Sequence, residues 1–508
     1  MKTIFLLFDS LNRKALKSYG GSLPTPNFDR LAARSVTFET HYTGSLPCMP
    51  ARRDHHTGRY NFFHSAWGPL EPFDNSYGRL MKNRRIYTHL ITDHLRYFED
   101  GGMCYHTAFN TWVNIRGQEY DPWKPSIRPD LERYRKQYDS RHYDLADPKR
   151  GSHKLQHLVN RDFIKREEDF PLSKCFDEGL EFLKTAAGSD TWFLQLECFD
   201  PHEPFHAPER LERKLNSDYD GLVMDWPKYA RVSESPDEVQ RIRNKYAALV
   251  AFCDEQLGRL LDWMDPTDAW RDTALITTTD HGYLLSEHDW WAKLKMPQYQ
   301  EISHIPLMIY HPKYAGQGGT QRSALTSVID ILPTILECHD IEVPPECRGT
   351  SLLRVLNDDK ASHDVVLSDV FGGPLLICDG RFAYHRGPKY LDSTDLYEYR
   401  LLPMHMRGPF SLQELRQMEL AGPFVFTKDV RVLKIKARDD SMRAPHHDGE
   451  TFQDCETRLF DLSVDPTENS SIDNPTVVER LLAAAVEEKR KHAGPREMLR
   501  RFELEVGC

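Results

Sequence analysis

Short apolar runs alternate with helix-periodic stretches along roughly the first two thirds of the chain. Residues 4–8 are continuously apolar and stop at Asp9-Ser10, the pattern of a buried strand. Residues 35–38, 87–91, 192–197, 274–279 and 305–310 read the same way. After the first strand, Thr25 is the expected N-cap and Pro26 the first helical residue, with Phe28, Leu31 and Ala32 at helical spacing. Further helices are predicted over 238–263 and 325–337. Apolar strands alternating with amphipathic helices predict an α/β sandwich with a mostly parallel central sheet. Three strands are closed by polar groups: Asp9, then Asp200-Pro201-His202, then Asp280-His281-Gly282. Open α/β sheets bind ligands beyond the carboxyl ends of their strands, so these groups are expected to share a site. Taken singly, each would serve equally well as a cap or a turn former.

Near residue 360 the pattern changes. Residues 365–370, 382–385, 430–435 and 456–462 predict strands of a smaller sheet. Residues 475–492 predict a charged amphipathic helix with Val478, Leu481, Leu482 and Ala485 inward. Two domains are expected: an α/β domain over 1–360 and a smaller α+β domain over 361–508. Residues 112–160 are rich in Tyr, Arg, Asp and Pro and poor in aliphatics, which predicts a long irregular insertion of the kind that often carries function.

Composition narrows the class. The 508 residues exceed one ordinary core, and 40% hydrophobic with 28% charged residues is a globular balance. A net charge of −11 argues against a nucleic-acid binder that relies on a general basic field. It leaves an anionic substrate open, because a bound metal reverses the local sign. No apolar run approaches the roughly 18 residues of a membrane span, so no membrane partner is expected. The run ended by Asp9 is too short for a signal peptide, and a cytoplasmic location is expected, with a removed leader left open. The ten cysteines include no C-x-x-C pair, and buried thiols are expected rather than a disulfide framework.

The chemistry centres on Cys48-Met49-Pro50-Ala51-Arg52, followed by Thr57-Gly58. This resembles the C-x-P-x-R…T-G signature of the formylglycine-dependent sulfatases, members of the alkaline phosphatase superfamily. The likeness runs from residue 1 to about 355. It includes Asp330-Ile331-Leu332-Pro333-Thr334, and more loosely Arg458-Leu459-Phe460-Asp461-Leu462 with Asp465-Pro466. The resemblance implies an alkaline-phosphatase-like sandwich. It implies that a maturation enzyme converts Cys48 to formylglycine, whose hydrated aldehyde attacks a sulfate ester. It implies one divalent metal on Asp9, Cys48, Asp280 and His281. It implies that Arg52 steadies the nucleophile and that Lys293 contacts the ester oxygens. His202, in Pro201-His202-Glu203-Pro204-Phe205, would protonate the leaving alcohol, and His94 would help to release sulfate.

Three positions depart from the family pattern. Ser10 stands where many sulfatases have a second Asp, His281 where Asn is common, and Thr92 where a Lys is usual. One carboxylate fewer and one imidazole more resembles the phosphonate monoester hydrolase branch. Ca²⁺ is the expected ion, with Mn²⁺ or Zn²⁺ favoured by a nitrogen ligand. Three functions therefore stand beside one another. The first is a sulfatase acting on a small or oligosaccharide sulfate ester, with a sulfated carbohydrate preferred. The second is a phosphonate monoester or phosphodiester hydrolase. The third is a non-catalytic, metal-dependent binder of anionic glycans. Trp112, Arg116, Gln118, Glu119, Asp121, Trp123 and Lys124 in the insertion suit sugars bearing anionic groups, or simply pack the loop on the core. The oligomeric state is left open.

Overall fold

The computed structural model describes residues 1–146, 151–216, 220–388, 396–437 and 456–504. In chain order the strands used below are β1 (Lys2–Phe8), β2 (Val36–Phe38), β3 (Ser45–Leu46), β4 (Tyr87–Thr92), β5 (Thr111–Asn114), β6 (Trp192–Cys198), β7 (Thr273–Thr278), β8 (Leu307–Tyr310), β9 (Gln321–Arg322), β10 (Val366–Val370), β11 (Leu375–Cys378), β12 (Phe382–Arg386) and β13 (Arg458–Asp461). The helices are α1 (Pro26–Arg34), α2 (Cys48–Thr57), α3 (Pro171–Ala186), α4 (Pro236–Met264), α5 (Ile331–Cys338) and α6 (Pro475–Lys491).

Eight strands form one sheet in the order β9-β2-β8-β7-β1-β6-β4-β5. All neighbours are parallel except β8, which runs antiparallel to both β7 and β2. Successive side chains of a strand face opposite sides, and β1 is apolar on both. Ile4, Leu6 and Phe8 join one core with Phe28 and Leu31 of α1, Phe176 of α3 and Leu257 of α4. Phe5 and Leu7 join the other with Ile331, Leu332 and Ile335 of α5. Each such side chain contributes about 1.5–3 kcal/mol when fully buried, so the sheet is held from both faces. Because β1 lies between β6 and β7, the carboxyl ends of these three strands are neighbours.

A second sheet, β13-β12-β11-β10-β3, is antiparallel except for β10 against β3. Its edge strand β3 leads into α2, so this sheet fixes the approach to Cys48. Leu481 and Ala485 of α6 are buried against Leu367 and Ile377 of this sheet, with Val478 and Leu482 packed alongside.

Several elements differ from the sequence reading. Thr25 precedes α1 but does not cap it; its hydroxyl accepts from Lys17 N, and Asp254 of α4 accepts the Asn27 and Phe28 N–H groups instead. The helix expected from residue 325 begins at Ile331, because Thr326-Ser327 pairs with His41-Tyr42 and Ser327 and Asp330 cap a short 3₁₀ turn reciprocally. Residues 430–435 become a strand over Val432–Lys436, in a separate three-stranded sheet with Tyr397–Arg400 and Glu419–Ala421. The insertion is less irregular than its composition suggests, for it holds helices Leu131–Gln137 and Gly151–Arg161. Cys455 and Cys508 lie outside the described residues; the other eight cysteines are free thiols. Among the described residues no helix is long and apolar enough to cross a membrane.

Candidate active site

The nucleophile motif is a strand-to-helix turn. Cys48 is the first residue of α2, and Pro50 stands in its first turn, where a backbone N–H would lack an intrahelical partner anyway. Asp54 ties the turn together by accepting from Ser45 N at 2.7 Å, Ser45 Oγ at 2.9 Å and Asn61 N at 2.7 Å. Gly58 ends the helix in the left-handed region at φ +63°, and a Cβ there would lie 2.4 Å from Cys347 Sγ. The glycine of the motif is thus required by backbone geometry and close packing.

Arg52, one turn after Cys48, reaches the strand ends. Its guanidinium donates to Asp9 Oδ2 at 2.8 Å, to Asp280 Oδ2 at 2.6 Å, to Glu197 Oε1 at 2.6 Å and to the Cys48 carbonyl at 3.1 Å. It therefore bridges β1, β6 and β7. Asp9, Cys48, Asp280 and His281 each offer a ligand atom, and these atoms all lie within 4.8 Å of one another. Cys48 Sγ is 3.9 Å from Asp9 Oδ1 and 3.5 Å from His281 Nε2. His281 Nδ1 bonds the Gly282 carbonyl at 2.9 Å, which makes Nδ1 the protonated nitrogen and leaves the Nε2 lone pair facing the group.

Lys293 completes the centre. Its Nζ donates to Ser10 Oγ at 2.6 Å and stands 4.0 Å from Asp9 Oδ1 and 3.9 Å from Glu203 Oε2. Ser10 Oγ in turn donates to Asp9 Oδ1 at 2.8 Å, so the residue in place of a second Asp carries a hydrogen-bond relay. His202 Nδ1 bonds the Glu203 carbonyl at 2.6 Å. His94 Nε2 lies 3.5 Å from Asp9 Oδ2, is buried, and has no hydrogen-bond partner among the described residues. Thr92 is a turn former here, accepting from His94 N at 3.0 Å.

Electrostatics explain why these groups need a cation. Four buried carboxylates, Asp9, Asp280, Glu197 and Glu203, face two permanent cations, Arg52 and Lys293. Burial, then the Asp280 charge, pushes Asp9 up to about 7 despite Arg52 and Lys293. Burial alone would raise Asp280 too, but His281 when protonated, Arg52 and Lys293 outweigh it and hold Asp280 below its ordinary range. Burial works against the Lys293 ammonium, yet Cys48 and the carboxylates of Glu203, Asp9 and Asp280 outweigh it and raise its pKa. Burial pushes the imidazoles of His281, His202 and His94 down, and His281 rests neutral as a metal ligand must. Two carboxylates, a neutral imidazole and residue 48, all buried beside an excess of negative charge, fit a divalent cation.

One consequence is measurable. The Asp9 carboxyl moves from 3.8 to about 7 on folding, so across that range the metal-free folded state holds a proton that the unfolded chain has lost. Metal-free stability should therefore fall as pH rises through that range. A divalent ion displaces this proton and removes the penalty. Adding Ca²⁺, Mn²⁺ or Zn²⁺ to chelator-treated protein should raise the Tm more at about pH 8 than at about pH 5. An equal rise at both would count against the site.

The structure brings together all eight residues proposed from sequence: Asp9, Cys48, Arg52, His94, His202, Asp280, His281 and Lys293. Glu197 and Glu203 escaped that reading. The signal for Glu197 was a charged residue inside an apolar strand, which needs a buried cation. Most of the insertion residues pair locally: Arg116 with Asp121, and Lys124 over the Trp123 ring. Gln118 and Glu119 reach further, to Asp93, Asp200 and Arg96.

The sulfatase family model matches residues 2–341. The chain therefore belongs to the sulfatase family, in the alkaline phosphatase superfamily, and so to the sulfuric ester hydrolases. It is 28% identical over 382 residues to the multifunctional alkaline phosphatase superfamily protein PehA of Trinickia caryophylli, covering 67% of this chain and 73% of that one. It is 24% identical over 414 residues to an N-acetylglucosamine-6-O-sulfatase of Bacteroides thetaiotaomicron, covering 71% and 72%. Its fold is similar to that of the phosphonate monoester hydrolase of Agrobacterium radiobacter, with a TM-score of 0.62, 18% identity, and 97% and 96% of the two chains covered.

Proposed function

We propose that this protein hydrolyses the sulfate ester of a sulfated carbohydrate, using formylglycine made from Cys48 by a maturation enzyme. The observation that carries this reading is the meeting of Cys48, at the head of α2, with Asp9, Asp280 and His281. As a thiol, Cys48 is poorly suited to attack: burial, then the Asp9 charge, pushes its pKa well above the ordinary value. As formylglycine, it supplies an aldehyde hydrate whose hydroxyl is the nucleophile. A divalent ion on Asp9, Asp280, His281 and residue 48 supplies Lewis acidity, with Ca²⁺ preferred and Mn²⁺ or Zn²⁺ suited to the nitrogen ligand.

The remaining steps belong to side chains of this chain. Arg52 fixes the Cys48 carbonyl and both aspartates, which sets the position of residue 48. The Lys293 ammonium binds the ester oxygens, where charge builds up in the transition state. His202 carries the proton for the leaving oxygen, and His94 moves a proton during product release. The name of the N-acetylglucosamine-6-O-sulfatase relative supports a sugar sulfate.

A second reading is hydrolysis of phosphonate monoesters or phosphate diesters on the same site. His281 among the metal-site residues and Ser10 in place of a carboxylate favour it, as does the likeness to a phosphonate monoester hydrolase. One experiment separates the readings. Protein made in its native host is assayed with a sugar sulfate, an aryl sulfate, a phosphate diester and a phosphonate monoester, and the Cys48 peptide is weighed. An aldehyde at position 48 and dominant sulfatase turnover are expected. Dominant phosphorus ester turnover would overturn the sulfur preference. An unmodified Cys48 with glycan binding and no turnover would mark a non-catalytic binder.

A further inference from the structure

Glu203 stands beside the proposed chemistry and has no step of its own in it. Its side chain is 2% exposed and is fixed at one oxygen only, where Tyr229 donates its hydroxyl to Oε1. The other oxygen, Oε2, accepts no hydrogen bond from the described residues, although it is buried. It points between two groups of the site, 3.1 Å from His202 Nδ1 and 3.9 Å from Lys293 Nζ. A buried carboxylate oxygen is costly unless cations or donors compensate it. Here the compensation is an ammonium and an imidazole that gains charge when protonated.

We propose that Glu203, clamped by Tyr229, is a positioning residue that aims His202 at the leaving oxygen and stabilises its protonated form. The inference rests on His202 being the proton donor of the proposed function. The backbone carbonyl and the carboxylate of Glu203 both lie on the Nδ1 side of the ring. Nδ1–H is therefore the bound side, and Nε2 is the nitrogen left for the ester. With the ring doubly protonated, the proton moves from His202 Nε2 to the leaving oxygen as the bond between that oxygen and sulfur breaks; this leaves a neutral imidazole, which the proton shed by the attacking hydroxyl recharges through solvent. Glu203 touches no reacting atom in this scheme; it holds the imidazolium until the proton is given up. Tyr229 keeps the carboxylate from turning away, because its hydroxyl occupies Oε1.

A proton donor matters most for a basic leaving group and little for one that departs unaided. This gives a readout that a purely structural role would not move. Glu203→Gln keeps the shape and removes the charge. On esters of basic alcohols or unsubstituted phenol, its kcat should fall about 100-fold; on the 4-nitrophenyl ester it should fall less than about tenfold. His202→Asn should show the same split, and adding Glu203→Gln to it should bring no further change in the ratio between the two esters. Tyr229→Phe, which removes only the clamp, should move the ratio in the same direction and by less; it serves if Glu203→Gln does not fold. Equal losses on good and poor leaving groups, or full additivity with His202→Asn, would overturn the proposal. The series is run on whichever ester class the wild type turns over. A preference for phosphorus esters would then overturn the sulfatase reading alone and leave the Glu203 result readable.

Discussion

Replacing Cys48 by alanine should leave a folded protein whose kcat is lower by about 10⁴-fold or more, the scale seen when a nucleophile is removed. The change takes away one sulfur atom at the head of α2. The turn around it is held by Asp54, Ser45 and Asn61 and by the Gly58 cap, none of which involves Sγ. Stability should therefore change little, and a circular dichroism melt checks this. The unmodified thiol should be almost as inactive as the alanine variant, because burial and the aspartates keep it protonated. Activity in preparations from different hosts should therefore rise in proportion to the fraction of position 48 found as aldehyde. Turnover by the alanine variant, or by protein wholly in the thiol form, would remove Cys48 from the mechanism.

The site was readable in the sequence where its residues follow strands or sit in a fixed local pattern. Asp9 and Asp280 each come directly after a strand-forming run, and a parallel sheet places such ends side by side whatever the intervening sequence. Cys48 and Arg52 are one helical turn apart, so their meeting needs only local geometry. The partners joined across long separations were hidden. Glu197 stands 145 residues from Arg52, and nothing in either local pattern links them. Glu203 was visible inside the Pro-His-Glu-Pro-Phe element, but its role depends on Lys293 and Tyr229, which arrive from other parts of the chain. The fold shows the same limit. The apolar spacing over 325–337 suits a helix throughout, yet pairing of Thr326-Ser327 with His41-Tyr42 claims its first residues for a strand. In the insertion, helices were hidden by polar composition, because their buried faces are short on aliphatics: Tyr134 alone on one, and His157, Leu158, Val159 and Asn160 on the other.

Arg52→Leu should be the most damaging single change to the fold of the site, at about 3–5 kcal/mol, the cost of removing one partner from a buried ion pair. Leucine fills much of the volume, so the loss is electrostatic. Asp9, Asp280 and Glu197 would all lose a charged donor at 2.6–2.8 Å. Glu197 would keep Tyr97 Oη at 2.8 Å and Gln195 Nε2 at 2.7 Å, which are neutral donors. Burial alone would lower the Arg52 pKa, yet these three carboxylates hold it well above the ordinary value, which shows how strongly they depend on its charge. The variant should be least stable at high pH. Without Arg52 the folded-state pKa of Asp9 rises further and Asp280 is held down less, so the folded state holds protons that the unfolded chain releases above its ordinary carboxylate range. A divalent ion should recover part of the stability by serving Asp9 and Asp280, but it cannot serve Glu197, which bonds Arg52 Nε and is not one of the ligand group. Arg52→Lys should fall between wild type and Leu, since a single ammonium cannot donate to three carboxylates and the Cys48 carbonyl at once. Urea unfolding at two pH values, with and without added metal, reads all of these outcomes. A leucine variant as stable as the wild type would mean that the bridge across β1, β6 and β7 contributes nothing net, and that Arg52 is retained for turnover alone.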